Sequence, residues 1–281
     1  MFCYSILEGT STETLYKTFL DAFSDYQVKI DLPFWKFEQM LQRRGYSSEI
    51  SIGAFEDERL VGFVLNGFRD WNGKTTVYDL GTGVVPKYRR QGLTSDMLQR
   101  IKKLFKEKQI EQYLLEVIKS NTSAVQLYKK QGFTIQREFS CFELDKNKYI
   151  PLTTYDVEHV ERVDLEQLKK FWDFKPSWQN SIPSINAIPE AFIFSVVRFD
   201  NIIVGYGIMD KKTGDIPQIA VDKKYRGNGI AKSIITDMIK STESHKIYVL
   251  NVETQFKSVE DFFLRLGFER YTEQYEMLLT R

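Results

Sequence analysis

The chain has 281 residues, 42% apolar and 27% charged, and 39 basic against 38 acidic side chains leave a net charge of +1. That length suits two domains with separate cores, and so balanced a charge provides no whole-molecule field for a nucleic acid or an anionic membrane. Two cysteines and two histidines leave no disulfide framework and no metal-ligand spacing, and neither a signal peptide nor an apolar membrane span is present, which points to the cytoplasm.

Residues 2–8 read as a strand. A helix follows, with Thr10, Ser11 or Thr12 as candidate caps and Leu15, Phe19, Ala22 and Phe23 at helical spacing. Pro33 opens a second helix through residue 43, stopped near Gly45. Residues 50–56 and 60–68 form strands across the turn Asp57-Glu58-Arg59, and a third strand over 75–85 ends at Pro86. The helix over 92–108 gathers Leu93, Met97, Leu98, Ile101, Leu104 and Phe105 on one face. A strand over 113–118, a helix over 122–131 ended by Gly132, and strands over 133–137 and 139–144 complete a first domain, 1–147, with a polar linker at 145–148. The second domain, 148–281, reads as a strand over 153–157, a helix near 164–174 and an irregular stretch with three prolines over 175–189. Strands over 191–199, 202–209 and 215–221, a helix over 230–241, a strand over 246–252, a helix over 258–265 and two closing strands finish it. The fold class is α/β in the layered α+β sense.

One pattern is written twice. Val84-Val85-Pro86-Lys87-Tyr88-Arg89-Arg90-Gln91-Gly92-Leu93-Thr94 returns as Val221-Asp222-Lys223-Lys224-Tyr225-Arg226-Gly227-Asn228-Gly229-Ile230-Ala231. Leu127-Tyr128-Lys129-Lys130-Gln131-Gly132-Phe133 returns as Phe262-Phe263-Leu264-Arg265-Leu266-Gly267-Phe268. A repeat of this length is a duplicated domain. In each copy a basic, glycine-containing loop joins an apolar strand to a helix, where backbone N–H groups can face a phosphate. The Rossmann and P-loop spacings are absent, which argues against a nicotinamide or ATP enzyme.

Arg-x-x-Gly-x-small after a Val-rich strand, followed by Asn-x-x-Ala-x-x-x-Tyr and Gly-Phe, resembles the GNAT superfamily of acetyl-CoA-dependent N-acetyltransferases, in two tandem copies over nearly the whole chain. The resemblance implies a mixed, mostly antiparallel central sheet flanked by helices in each copy, acetyl-CoA as co-substrate and no metal. By that resemblance Arg89, Arg90, Gln91, Gly92, Leu93 and Thr94 hold the CoA diphosphate, though Thr94 stands where the family has Gly or Ala. Gly83, Val84 and Val85 offer the pantetheine arm a strand edge, and Asn121 touches the same arm. Val221, Arg226, Gly227, Asn228, Gly229 and Ala231 are the corresponding set in the second copy.

Acyl transfer to an amine needs a base for the nitrogen's proton and an acid for the leaving thiolate. Glu116, the lone charge in Leu115-Glu116-Val117, and Tyr128 on the next helix match in spacing the Glu and Tyr pair of the bacterial ribosomal-protein alanine acetyltransferases. Asn251, Phe256 and Phe263 stand where Glu116, Asn121 and Tyr128 would be in the second copy. Neither Asn251 nor Phe263 can move a proton. Phe34, Trp35, Phe37, Trp71, Trp172, Phe174 and Trp178 either wall an amine pocket or pack cores. Asp25, Asp31, Asp70 and Asp79 either attract a cationic substrate or are scattered surface carboxylates.

The expected activity is acetyl transfer from acetyl-CoA to the primary amine of a small molecule or peptide, with the chemistry in the first copy. Two rival readings stay open. One is a non-catalytic acyl-CoA-binding or sensing protein, and the other places the activity in the second copy.

Overall fold

The computed structural model describes residues 1–25 and 32–280, so Asp31 lies outside the described residues. The chain forms two compact units, one of residues 1–117, 121–136 and the end of the chain from Glu276, the other of residues 118–120 and 137–275.

In the first unit, β1 (Cys3–Ile6) leads to α1 (Thr12–Ala22), whose N-cap is Ser11, accepting from the Thr14 amide. Leu15, Phe19 and Ala22 are its buried face. α2 (Phe34–Arg44) starts after Pro33 and ends at Gly45, whose left-handed φ of 74° lets the chain turn back. β2 (Ile52–Glu56), β3 (Arg59–Trp71) and β4 (Lys74–Val84) follow. With β1 they form an antiparallel meander in the order β1-β2-β3-β4. α3 (Leu93–Glu107) buries Leu93, Met97, Leu98, Ile101 and Phe105. β5 (Gln112–Ile118), α4 (Thr122–Lys130) and β6 (Thr134–Asp145) come next.

The second unit repeats this plan. β7 (Glu158–Val160), α5 (Leu165–Leu168), α6 (Ile182–Asn186), β8 (Phe192–Phe199), β9 (Ile202–Asp210) and β10 (Gln218–Val221) again give an antiparallel four-strand order, β7-β8-β9-β10. α7 (Ile230–Ser241), β11 (Lys246–Glu253), α8 (Lys257–Arg265) and β12 (Glu269–Thr280) complete it. The copies agree in detail. A bulge skips Val61 in β3 and Val204 in β9, and each skipped carbonyl accepts from the residue just after the following strand, Val85 or Asp222.

Three local expectations are corrected. Residues 153–157 are not a strand: the Thr154 and Tyr155 amides donate to Ser233 Oγ on α7, and Leu152 N–H to Thr236 Oγ1. The helix near 164–174 shrinks to α5 and a 3-10 turn at Lys169–Phe171. Each expected pair of closing strands is one strand, because neither β6 nor β12 contains the Gly or Pro that would break it.

The last strands are exchanged. β6 ends the first copy in sequence, yet its residues 137–145 lie in the second unit and pair antiparallel with β11. β12 ends the second copy, yet from Glu276 it lies in the first unit, beside β5.

Candidate active site

The site of the first unit lies where two neighbouring strands part. β4 and β5 run parallel and pair only from Thr76↔Gln112 to Tyr78↔Leu114. Beyond that point β4 continues along β3 alone, and a bulge places Leu80 as the extra residue between Asp79 and Gly81. The parted edge of β4 therefore carries backbone groups able to pair with an extended ligand.

The register decides which groups those are. Val85 N–H donates to Val61 O across to β3 at 2.9 Å. Alternation then turns Gly83 and Val85 toward β3, and Thr82 and Val84 toward the parted edge. The expectation for Gly83 and Val85 is thus displaced by one residue. Gly83 is required for packing, since a Cβ there would stand 2.6 Å from the Phe63 ring.

Arg89 faces inward. Its Nε donates to Val84 O at 3.1 Å, its Nη2 to Ala22 O at 2.7 Å, and both Nη atoms to the Asp25 carboxylate at 2.7 Å. That hydrogen bond holds the Asp25 carboxyl below its usual range. Arg226 repeats the clamp on Val221 O, Phe171 O and Asp173. The two arginines pin their loops in shape. What faces outward is backbone: Arg90 and Gly92 are left-handed with φ of 60° and 83°, and Gly92 opens α3 without a side-chain cap. A Cβ at Gly92 would meet nothing within 4 Å. Free N–H groups at an uncapped helix start, beside an open left-handed glycine, fit a diphosphate. Gln91 is exposed, Leu93 is buried under the loop and Thr94 is half-buried.

Within the parted region Tyr128, on α4, donates its phenol to Asp79 Oδ2 at 3.2 Å, and Thr82 Oγ1 donates to the same oxygen at 2.7 Å. Asp79 is buried, and its Oδ1 has no hydrogen-bond partner. Burial pushes the Asp79 carboxyl up to about 6 against the opposing hydrogen bonds of Thr82, Tyr128 and the Gly81 N–H and the charge of Arg44. Arg44 Nη1 donates to the carbonyl of bulge residue Leu80 at 3.2 Å. Glu116 is half-buried on β5 and stands beside the Tyr78 phenol. Burial first, then the Glu116 charge, pushes that phenol well above its ordinary range. Tyr113 donates to Asn66 Oδ1 at 2.7 Å, and Phe133 lies against both the Tyr113 and Tyr128 rings. Asn121 caps α4, accepting from Ala124 N–H at 3.2 Å.

Asp79 corrects the sequence reading, where it was one of four scattered carboxylates. The signal was there: Asp79 is the only charge in Val77-Tyr78-Asp79-Leu80, as Glu116 is in its strand. Of the others, Asp25 is bound by Arg89 and Asp70 accepts from Gly73 N–H in a turn. Among the aromatics, Phe37, Trp71 and Trp178 are buried core, and Trp35 is exposed.

The second unit carries other side chains at these positions. Ile216, Asn251 and Phe263 occupy the positions of Asp79, Glu116 and Tyr128, and all are buried. A cleft of about 70 Å³ is lined by Trp172, Phe174, Gln218, Asn251, Val259 and Phe263. Asn180, from the stretch after α5, accepts from Gln218 Nε2 and donates to Leu250 O, which ties β10 to β11. Asn251 is left-handed, with φ of 62°, and donates to Ser177 Oγ. Phe256 opens α8 without a side-chain cap. The loop keeps left-handed Gly227 and Gly229, and Asn228 Nδ2 binds the loop carbonyls of Tyr225 and Arg226. Ala231 follows, half-buried. Thr154 Oγ1 approaches to 3.6 Å from where a Gly229 Cβ would stand.

Among the described residues no group of His, Cys, Asp and Glu is arranged to hold a metal ion, and no helix is long and apolar enough to cross a membrane. Cys3 and Cys141 are free thiols.

Residues 12–133 match the model of the Acetyltransferase (GNAT) family, and residues 154–278 match that of the Acetyltransferase (GNAT) domain. No curated protein matches the sequence. Among solved structures the chain is similar to a GCN5-related N-acetyltransferase from Sphaerobacter thermophilus, with a TM-score of 0.74 at 14% identity over 99% of this chain and 95% of that one. It is also similar to a tandem GNAT protein from the clavulanic acid biosynthesis pathway, with a TM-score of 0.74 at 11% identity over 100% of this chain and 98% of that one. At these identities the likeness is one of fold. The parted strands, the glycine-opened helices and the two family matches agree: the chain belongs to the GNAT acetyltransferase family, carries two of its domains in tandem, and is an acyltransferase.

Proposed function

We propose that the protein is an N-acetyltransferase acting on a primary amine of a small molecule or peptide, with the chemistry in the first family copy, residues 1–147. One observation carries this reading. Tyr128 is hydrogen-bonded to Asp79, and Glu116 stands beside Tyr78, where β4 and β5 part, while the second copy, residues 148–281, has Phe263, Ile216 and Asn251 at the positions of Tyr128, Asp79 and Glu116. Acetyl-CoA, the family's co-substrate, supplies a thioester acyl group and a thiolate leaving group. The first-turn N–H groups of α3 after Gly92 would hold its diphosphate, and the β4 edge at Thr82 and Val84 its pantetheine arm, with Asn121 near the same arm. Glu116 takes the proton that frees the amine lone pair, and the Tyr128 phenol gives a proton to sulfur. The second copy carries no turnover. Two free cysteines suit a reducing compartment such as the cytoplasm.

Mass-spectrometric screening of a primary-amine panel with acetyl-CoA tests the reading, using Gly92→Glu and Gly229→Glu as paired variants. Loss of acetylation in Gly92→Glu with retention in Gly229→Glu is expected. The reverse result would move the chemistry to the second copy. Calorimetric CoA binding with no acetylated amine would favour a sensing role.

A further inference from the structure

The reading above gives Glu116 and Tyr128 a task each and leaves the Asp79 carboxylate without one. We propose that Asp79 is a third proton-handling group of this site, which aims the Tyr128 phenol with Oδ2, takes a proton from the substrate nitrogen at Oδ1, and returns it through Tyr128 to sulfur. This rests on the first copy being the active one.

A structural role does not account for a carboxylate here. A neutral amide at position 79 would accept from Thr82 and Tyr128 equally well, without the penalty of placing a charge out of water. Instead the chain keeps an acid, buried, with Oδ2 bound by two hydroxyls, the Gly81 N–H favouring its ionised form, and Oδ1 without a hydrogen-bond partner. The second copy supplies an internal comparison. Where Tyr128 becomes Phe263, Asp79 becomes Ile216, so phenol and carboxylate are present together or absent together.

The proton count gives a third group a task. A primary ammonium must lose two protons to become an amide. Glu116 takes the first to solvent, which frees the lone pair. The nitrogen–carbon bond then forms and the carbon–sulfur bond breaks, with the electron pair of that bond staying on sulfur. Asp79 receives the second proton, Tyr128 protonates sulfur, and Asp79 reprotonates the phenolate. Asp79 ends ionised, the nitrogen's second proton has reached sulfur by way of Asp79 and Tyr128, and no other reagent is consumed. The charged and titratable groups facing Asp79 are Arg44 from α2, Tyr78 on its own strand, Tyr113 on β5 and Tyr128 on α4.

Infrared titration of the full-length protein without CoA should show a carboxylic-acid band with a midpoint of about 6. The band should vanish in Asp79→Asn. In Tyr128→Phe its midpoint should rise, because the phenol favours the ionised carboxyl. With acetyl-CoA and the best amine of the panel, Asp79→Asn should lower kcat on the order of 10²-fold, leave KM nearly unchanged, and erase the acid limb of the pH profile. Asp79→Glu should restore part of kcat. Asp79→Asn combined with Tyr128→Phe should be no slower than Tyr128→Phe alone. An undiminished kcat in Asp79→Asn, or losses that multiply in the double variant, would overturn the proposal and leave Glu116 and Tyr128 in place. A normal rate in Tyr128→Phe would overturn the reading beneath it.

Discussion

A phenol, a carboxylate and a glycine define this protein at the scale of single residues. Tyr128→Phe removes one oxygen and leaves the ring against Phe133, so CoA affinity should hold while turnover falls on the order of 10²-fold, measured by thiol release. The Asp79 carboxyl also makes stability depend on pH. Its folded pKa of about 6 lies above the ordinary carboxyl value of 3.8, so the folded state binds the proton more tightly. The stabilising contribution is full below the unfolded pKa and is lost as pH rises through about 6. The parent should therefore lose about 3 kcal/mol relative to Asp79→Asn between those limits, an amount that denaturant melts at several pH values would reveal.

Loops and helix starts do the positioning at the scale of elements. The Arg89–Asp25 ion pair is exposed and contributes little by charge alone. The bonds from Arg89 to the carbonyls of Val84 and Ala22 are what hold the loop to the end of α1. Arg89→Met should weaken CoA binding in calorimetry by loosening the loop, although its guanidinium is engaged by Val84, Ala22 and Asp25. Asn121→Ala should destabilise α4 by about 1 kcal/mol, the usual value of an N-cap, and Phe256→Ala in the uncapped second copy should show no such capping loss. Thermal melts of the two variants compare them directly. The elements themselves were largely legible: the Ser11 cap, the Gly45 stop and the apolar face of α3 follow from periodicity and cap chemistry. Residues 153–157 were not, because their apparent strand pattern is overridden by the hydroxyls of Ser233 and Thr236, nearly eighty residues away.

The exchange of last strands makes the two copies interdependent at the scale of the whole molecule. The first unit takes the end of β12, and the second takes most of β6. Removing residues from Glu276 onward would strip β5 of its neighbour and bare Met277 and the buried face around it. Such a truncation, nearly 150 residues from Tyr128 in sequence, should abolish acetylation and lower the melting temperature by several degrees. Retained activity would show that β5 holds its place without β12.

The sequence by itself determined the duplication, the loop-and-helix signature, the family and the difference between the copies at the expected proton-transfer positions, because each of these is a matter of residue type at fixed local spacing. It singled out Glu116 and Tyr128 on the same grounds. Only the tertiary structure decided that Asp79 is buried and bound by Tyr128, that Arg89 and Arg226 fold back onto backbone carbonyls, that Val84 and not Gly83 faces the parted edge, and that the end of β12 belongs to the first unit and most of β6 to the second. Burial, pairing partner and strand parity are set by residues distant in the chain, and a local pattern carries no record of them.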